Sequence, residues 1–387
     1  MNQINSRNLP WQEEHHIYNE LITRFVQQEL LPHNDRWEKQ GMVDRDVWHK
    51  AGANGLLCPS MSDEFGGPGG DFLHAVLMIE GLAREGLTGP GFFIHSEMVA
   101  PYIVNFGAPA QQQRWLPKMA SGEVIGAIAM TEPGAGSDLR GMRTHAKRAE
   151  GGWQLNGQKV FISNGQLADL AIVAAKTDLN DKNSITLFLV DTTSKGFQRG
   201  RNLEKIGIHG QDTSELFFED VFVPDDCVLG QPGDGFKQLM HGLARERLSI
   251  CISCQAKAES ALQWTIDYVK QRQLFGQSLA DMQNTRFRLA EMKAEIEVGR
   301  AFVDDALRSY LGGALDATRA ATGKLWVSEM LGRVTDGCLQ LHGGWGYMNE
   351  YPISRAWVAA RIERILGGSS EVMKEIIGRT IVGKGTK

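Results

Sequence analysis

The sequence predicts an α+β fold in three parts: an N-terminal α-helical domain, a middle antiparallel β-barrel or sandwich domain, and a C-terminal four-helix-bundle-like domain. Two observations carry this reading. Apolar residues recur at helical spacing over residues 12–122 and again from Phe236 onward. Between them, from 124 to about 230, they fall in short runs or in alternation, bounded by turn residues. A third observation removes the main rival. Strands and helices do not alternate along the chain, so a doubly wound parallel sheet is disfavoured.

The elements follow in order. Residues 17–31 carry apolar side chains at helical spacing, with Pro32 as the stop. Gly66-Gly67-Pro68-Gly69-Gly70 punctuates the chain before a helix over 71–84, and 91–106 and 110–120 are further helices. Residues 124–129 form a short apolar run, the mark of a buried strand. Residues 153–162 alternate around Asn156-Gly157, a dipeptide that favours a hairpin turn. Runs at 170–175, 185–190 and 216–223 complete the β unit, and 224–235 forms a loop. The remainder predicts helices over about 236–271, 282–311, 315–341, 353–365 and 370–382, with short connections that suit an antiparallel bundle. The predicted boundaries are 1–123, 124–233 and 234–387.

Composition narrows the function. A chain of 387 residues exceeds one typical core, so several packed units are expected. A net charge of −5 leaves no electrostatic footprint for nucleic acid, and no apolar run approaches the length of a bilayer span. Residues 1–16 are polar and carry neither an apolar signal core nor an Arg/Ser-rich transit pattern. The expected compartment is the cytoplasm of a bacterium, or the mitochondrial matrix if the chain is a trimmed form. Five scattered cysteines, an odd and low count, argue against a disulfide framework. Cys251-Ile252-Ser253-Cys254 has the spacing of a metal or redox pair. It lacks a second pair and lies inside a helical pattern, so two buried thiols are expected and no metal.

Five segments carry chemistry. Ala129-Met130-Thr131-Glu132-Pro133-Gly134-Ala135-Gly136-Ser137-Asp138 follows the buried strand at 124–129. Its small residues let backbone N–H groups approach an anionic or planar ligand, and its hydroxyls add donors. Its glycines fail the dinucleotide fingerprint, since Leu139 stands where a third would be needed. Phe161-Ile162-Ser163-Asn164-Gly165 ends the next strand. Arg272-Gln273-Leu274-Phe275-Gly276, with Gln283 beyond it, sets an Arg beside an aromatic; that suits a pyrophosphate and an adenine, or merely a solvated helix end. Gln340-Leu341-His342-Gly343-Gly344 runs a helix into a Gly-rich turn, and Gly367-Gly368-Ser369-Ser370-Glu371 precedes the last helix, with Ser370 suited to cap it.

In order and spacing, from about residue 15 to 385, these segments resemble the acyl-CoA dehydrogenase family, closest to its long-chain branch with the isovaleryl branch next. The resemblance implies FAD as cofactor. Ile128, Met130, Thr131, Gly136, Ser137, Phe161, Ile162 and Ser163 would lie along the flavin. Arg272, Phe275, Gln283, Gln340, Leu341, Gly343 and Gly344 would reach FAD bound mainly by a neighbouring subunit, which implies a homotetramer. Ser369, Ser370 and Glu371 would complete the cofactor site. Ser137, Arg247, Gly367 and Gly368 would contact an acyl-CoA, with N–H groups near Gly367-Gly368 on the thioester oxygen. An electron-transferring flavoprotein would take the electrons.

The resemblance also locates the base. Short- and medium-chain relatives carry a catalytic Glu where this chain has Gly367, which cannot take a proton. The long-chain and isovaleryl branches use a Glu-Arg-Leu on the long C-terminal helix, and here Glu246-Arg247-Leu248 matches. On a helix Glu246, Ser249 and Ser253 share one face. Burial is expected to raise the Glu246 pKa against the pull of Arg247. The acids of the first motif, Glu132 and Asp138, are expected to be structural. An Asp common two residues before the base is Ala244 here, so contacts to the CoA arm must differ. The expected reaction is α,β-dehydrogenation of a long-chain acyl-CoA to the trans-2-enoyl-CoA. The alternatives are a branched-chain or terpenoid acyl-CoA, an oxygen-using relative, and a binding scaffold without activity.

Overall fold

Two apolar cores organise the chain, and neither coincides with one predicted domain. A computed structural model describes residues 7–181 and 183–383. The start of the polar N-terminal stretch, residues 1–6, and the C-terminal residues 384–387, including the end of the family match, lie outside the described residues. In the first core, N-terminal residues such as Trp37, Trp48 and Leu77 pack with Ile250, Val303 and Met330 of the C-terminal part. In the second, Ile103, Trp115 and Leu116 join Ile172, Leu187 and Val221 of the β unit. The N-terminal helices therefore have no core of their own and bridge the other two units.

The N-terminal part comprises α1 (Glu13–Phe25), α2 (Asn34–Gln40), α3 (Asp46–Ala53), α4 (Phe72–Arg84), α5 (Ala100–Phe106) and α6 (Pro109–Ser121). The helix predicted over 17–31 does not stop at Pro32. It passes through a π stretch (Val26–Leu30) and a 3₁₀ turn (Leu31–His33) into α2, and Pro32 sits in the first turn, where no N–H is needed. Helices α2 and α3 are too short for periodicity to reveal. Asp71 caps α4 by accepting from Leu73 N at 2.9 Å and His74 N at 3.3 Å. A second π stretch (Ile94–Val99) leads into α5 and turns the consecutive residues His95, Ser96 and Glu97 all inward.

The β unit holds β1 (Gly126–Ala129), β2 (His145–Ala149), β3 (Gly152–Ser163), β4 (Leu170–Lys176), β5 (Ile185–Asp191), β6 (Phe197–Asn202), β7 (Thr213–Pro224) and β8 (Val228–Leu229). Its strand order is β6-β7-β3-β2-β4-β5-β8, with β1 beside β4. The predicted antiparallel pairing holds for most of it. However, β1 lies parallel to β4, with Gly126 opposite Leu170, and β2 meets β4 in parallel at His145 and Lys176. The expected Asn156-Gly157 hairpin is also displaced. The β2–β3 turn is Glu150-Gly151, while Asn156-Gly157 lies inside β3 at a bulge against β7. Gly157 is required there: its φ is 145°, and a Cβ would stand 2.5 Å from Thr144 Oγ1.

The C-terminal part begins with α7 (Gly235–Gln271), followed by a small hairpin, β9 (Gln273–Leu274) and β10 (Gln277–Ser278), then α8 (Gln283–Leu311), α9 (Ala317–His342), α10 (Pro352–Ala360) and α11 (Ser370–Val382). The helix predicted over 353–365 ends at Ala360 and finishes as a 3₁₀ turn. Helix α7 is central and packs on α4, α8 and α9. Every residue from Glu246 to Ile252 is consequently buried, on all sides of the helix. Cys251 in this run and Cys254 just beyond it are buried free thiols, as expected.

Candidate active site

Glu246 sits in the buried stretch of α7, and the site is built outward from it. Its Oε1 accepts a hydrogen bond of 3.0 Å from the Tyr102 hydroxyl of α5. Gly242, one turn earlier, makes room: a Cβ there would come within 2.9 Å of Glu246 Oε1 and 3.0 Å of the Tyr102 oxygen. Burial pushes the Glu246 carboxyl up to about 7, while the Tyr102 hydroxyl and the charges of Arg247 and Arg245 pull it down. Desolvation wins, as the sequence suggested. Arg245 itself turns to an ion pair with buried Glu97 and donates to Ser60 Oγ at 2.8 Å. Tyr102, Gly242 and Glu97 were missed in the sequence. Only the glycine four residues before the Glu offered a signal.

Among the polar groups near Glu246 that have no partner among the described residues are two that follow it on α7. Ser249 Oγ and Arg247 Nε are both buried without a hydrogen bond. Buried polar atoms are ordinarily paired, so these mark room for a polar ligand. Ser253, the third residue of the predicted face, is half-buried.

Gly367 and Gly368 lie against the same stretch of α7. Both have left-handed φ, 63° and 98°, a conformation that favours glycine. A Cβ on Gly367 would stand 2.4 Å from Ile250 Cδ1, so Ile250 fills the space a side chain at 367 would need. A Cβ on Gly368 would lie 3.8 Å from Arg247 Nη2, which puts the guanidinium beside the turn. The cap of α11 is corrected by one residue. Ser369, not Ser370, is the N-cap, and its Oγ accepts from Val372 N at 3.4 Å. Ser370 Oγ instead donates to Glu329 Oε1 at 2.7 Å. Glu371, exposed in the first turn, is held below the ordinary carboxylate range by its own N–H and the Ser369 hydroxyl.

The first motif leaves β1 half-buried at Ile128 and Met130 and turns between Glu132 and Ala135, which exchange hydrogen bonds of 2.9 and 3.1 Å. Glu132 is structural. It pairs with buried Lys159 at 2.8 Å and accepts from the N–H groups of Arg143 (2.6 Å) and Thr144 (3.0 Å). Asp138 stands at the start of a 3₁₀ turn. Thr131 is half-buried, and Gly136 and Ser137 are exposed. Phe161 is 65% exposed with φ 62°, a strained backbone for an aromatic residue. Ile162 beneath it is buried and Ser163 half-buried.

The remaining candidates gather at one end of the bundle. The Tyr268 and His342 rings stack with centroids 4.2 Å apart, which brings the ends of α7 and α9 together. There Arg272, Phe275, Gln283, Gln340, Gly343 and Gly344 are exposed and Leu341 half-buried. Phe275 is 89% exposed with φ 52°. Among the described residues this group makes no hydrogen bond or ion pair with the Thr131–Phe161 group.

Comparison with known proteins agrees with this architecture. Residues 12–123, 127–221 and 233–382 match the N-terminal, middle and C-terminal domains of acyl-CoA dehydrogenase. The long-chain specific acyl-CoA dehydrogenase of Mus musculus mitochondria is 49% identical over 95% of this chain and 86% of its own length. The mitochondrial isovaleryl-CoA dehydrogenase of Solanum tuberosum is 34% identical over 94% of this chain and 89% of its own. A crystal structure of an acyl-CoA dehydrogenase from Geobacillus kaustophilus superposes with a TM-score of 0.94 at 44% identity, covering 96% of this chain and 99% of that one. One from Bacillus anthracis, complexed with FAD, gives 0.90 at 30% identity over 98% of this chain and 70% of that one. The order of domains, the β unit between helical parts and the full-length matches together place this chain in the acyl-CoA dehydrogenase family of oxidoreductases.

Proposed function

We propose that this protein dehydrogenates a long-chain acyl-CoA at the α,β bond to the trans-2-enoyl-CoA, with Glu246 as the base. The observation that carries this is a buried carboxyl raised to about 7 on the stretch of α7 that packs against the Gly367-Gly368 turn, with Ser249 Oγ and Arg247 Nε buried and unpartnered on the same stretch. A carboxylate near neutral pKa is a fitting acceptor for an α proton. As that proton leaves, charge moves onto the thioester oxygen, where the N–H groups of the turn would stabilise it. Tyr102 holds Glu246 Oε1 in place and leaves Oε2 for the proton.

The cofactor is FAD, which when bound supplies the acceptor for the β hydride. The residues fit it. Cβ atoms added at Gly134, Gly343 or Gly344 meet nothing within 4 Å, and Phe161 and Phe275 present exposed aromatic faces. Ile128, Met130, Thr131, Gly136, Ser137, Ile162 and Ser163 would hold one part. Arg272, Gln283, Gln340 and half-buried Leu341 would hold another from a second subunit of a homotetramer, since the first three face solvent in one chain. Ser369, Ser370 and Glu371 lie next to the turn. Ser137 and Arg247 would contact substrate, and an electron-transferring flavoprotein would reoxidise the enzyme. Among the described residues no helix is long and apolar enough to cross a membrane. The compartment we favour is the bacterial cytoplasm, or the mitochondrial matrix; the mouse relative is named as mitochondrial.

A branched acyl-CoA is the second reading, supported by the isovaleryl relative. Anaerobic bleaching of the bound flavin by straight and branched acyl-CoAs tests both. Long straight chains should bleach it fastest. Glu246→Gln should keep FAD and lose bleaching by about a thousandfold or more; retained bleaching would move the base elsewhere.

A further inference from the structure

Behind the Gly367-Gly368 turn, on the bundle side, lies a lysine for which the proposed reaction has no use as an acid or base. Lys324 of α9 is 0% exposed. Its Nζ donates to the Gly368 carbonyl at 2.7 Å, and among the described residues this is its one hydrogen bond. The nearby carboxylate, Glu363, is already taken by Lys257 at 2.6 Å. Burial lowers the Lys324 pKa, with Cys254, Glu363 and Cys251 opposing it. Burying an ammonium costs free energy that an apolar residue in a helical bundle would avoid. The group it satisfies is a single backbone carbonyl, and that carbonyl belongs to the turn.

The geometry of the peptide unit gives this contact a consequence. The Gly368 carbonyl and the Ser369 N–H lie in one plane and point in opposite directions. Holding the carbonyl into the bundle directs that N–H away from it. Among the described residues, the N–H groups of Gly367, Gly368 and Ser369 donate to no protein acceptor. Two glycines with left-handed φ leave the turn free to rotate its peptides unless something clamps them. Ser370 is fixed on one side by Glu329, and Lys324 fixes the other. An ammonium on the carbonyl also polarises the peptide and strengthens its N–H as a donor.

We propose that Lys324 is a positioning residue of the thioester site, clamping the Gly368 carbonyl so that the free Ser369 N–H, next to those of Gly367 and Gly368, faces the substrate oxygen. This rests on the reading that the turn receives that oxygen. The test uses the FAD-loaded enzyme and an enoyl-CoA labelled with ¹³C at the thioester carbonyl. Wild type should bleach with acyl-CoA and lower the carbonyl stretching frequency of the bound enoyl-CoA. A wild type that does neither overturns the functional reading itself. Given a wild type that does both, Lys324→Met should keep FAD and bind acyl-CoA within about threefold, bleach at least about tenfold more slowly, and lose most of the frequency shift. Should Lys324→Met fail to fold, Lys324→Gln fills the site with a polar group one bond too short to reach the carbonyl, and the same losses are expected. A wild-type frequency and bleaching rate in either folded variant overturns the proposal.

Discussion

Burial pushes the Glu246 carboxyl up to about 7, and the Tyr102 hydroxyl, the first of the groups opposing burial, partly restrains it. The restraint is specific, because Tyr102 donates to the charged form. Bleaching of bound flavin by acyl-CoA should therefore rise with pH through about 7, as the carboxylate forms, and level off above it. Tyr102→Phe removes the donor and should move that inflection to higher pH, with FAD content unchanged. An inflection at the wild-type pH would show that Tyr102 does not touch the working carboxylate. The Glu-Arg-Leu triplet was legible in the sequence, and so was the vacancy at Gly367. Tyr102 was not, since it lies 144 residues away and belongs to no motif.

At the level of elements, the loop after β1 is held by one buried ion pair. Lys159 of β3 donates to Glu132 at 2.8 Å and to the Met130 carbonyl at 3.0 Å, and both side chains are almost wholly out of water. Removing one member of such a pair leaves the other charged and unpaired. Lys159→Met should cost about 3 kcal/mol of stability in thermal or denaturant unfolding and should weaken FAD retention, because the Thr131–Ser137 segment loses its anchor. Full retention of FAD at wild-type stability would remove that role. Long helices were legible because their periodicity repeats over many turns. The Asn156-Gly157 turn was misplaced because the dipeptide serves a bulge, where Gly157 clears Thr144 and Asn156 bonds Asp220 at 2.9 Å. A bulge and a hairpin ask the same of local sequence, and only the pairing partner tells them apart.

Across the whole molecule, Glu80 ties the N-terminal segment and α4 to the C-terminal bundle. Fully buried on α4, it binds Arg7 at 2.9 Å, Arg300 of α8 at 2.8 Å and Arg84 at 2.6 Å. Burial alone would raise its pKa; Arg300, Arg7 and Arg84 outweigh it and hold it at about 2, below the ordinary 4.5. A lowered carboxyl contributes stability above its unfolded pKa and loses it as pH falls through the folded one. Glu80→Gln should cost roughly 3–5 kcal/mol near neutral pH and flatten the loss of stability between about pH 4.5 and 2. An unchanged acid limb in the unfolding curve would contradict this. The family and the order of the three parts were readable from sequence alone, because they are written in contiguous motifs and in periodicity; the same spacing is what marks the motifs and the Glu-Arg-Leu triplet proposed for the site. Only the tertiary structure decided that the N-terminal helices share their cores with both other units. The same holds for Ile250 filling the space at Gly367, for Tyr102 meeting Glu246, and for Lys324 reaching the Gly368 carbonyl. Burial and hydrogen bonding of a side chain depend on segments far apart in the chain, and local pattern carries no record of which ones meet.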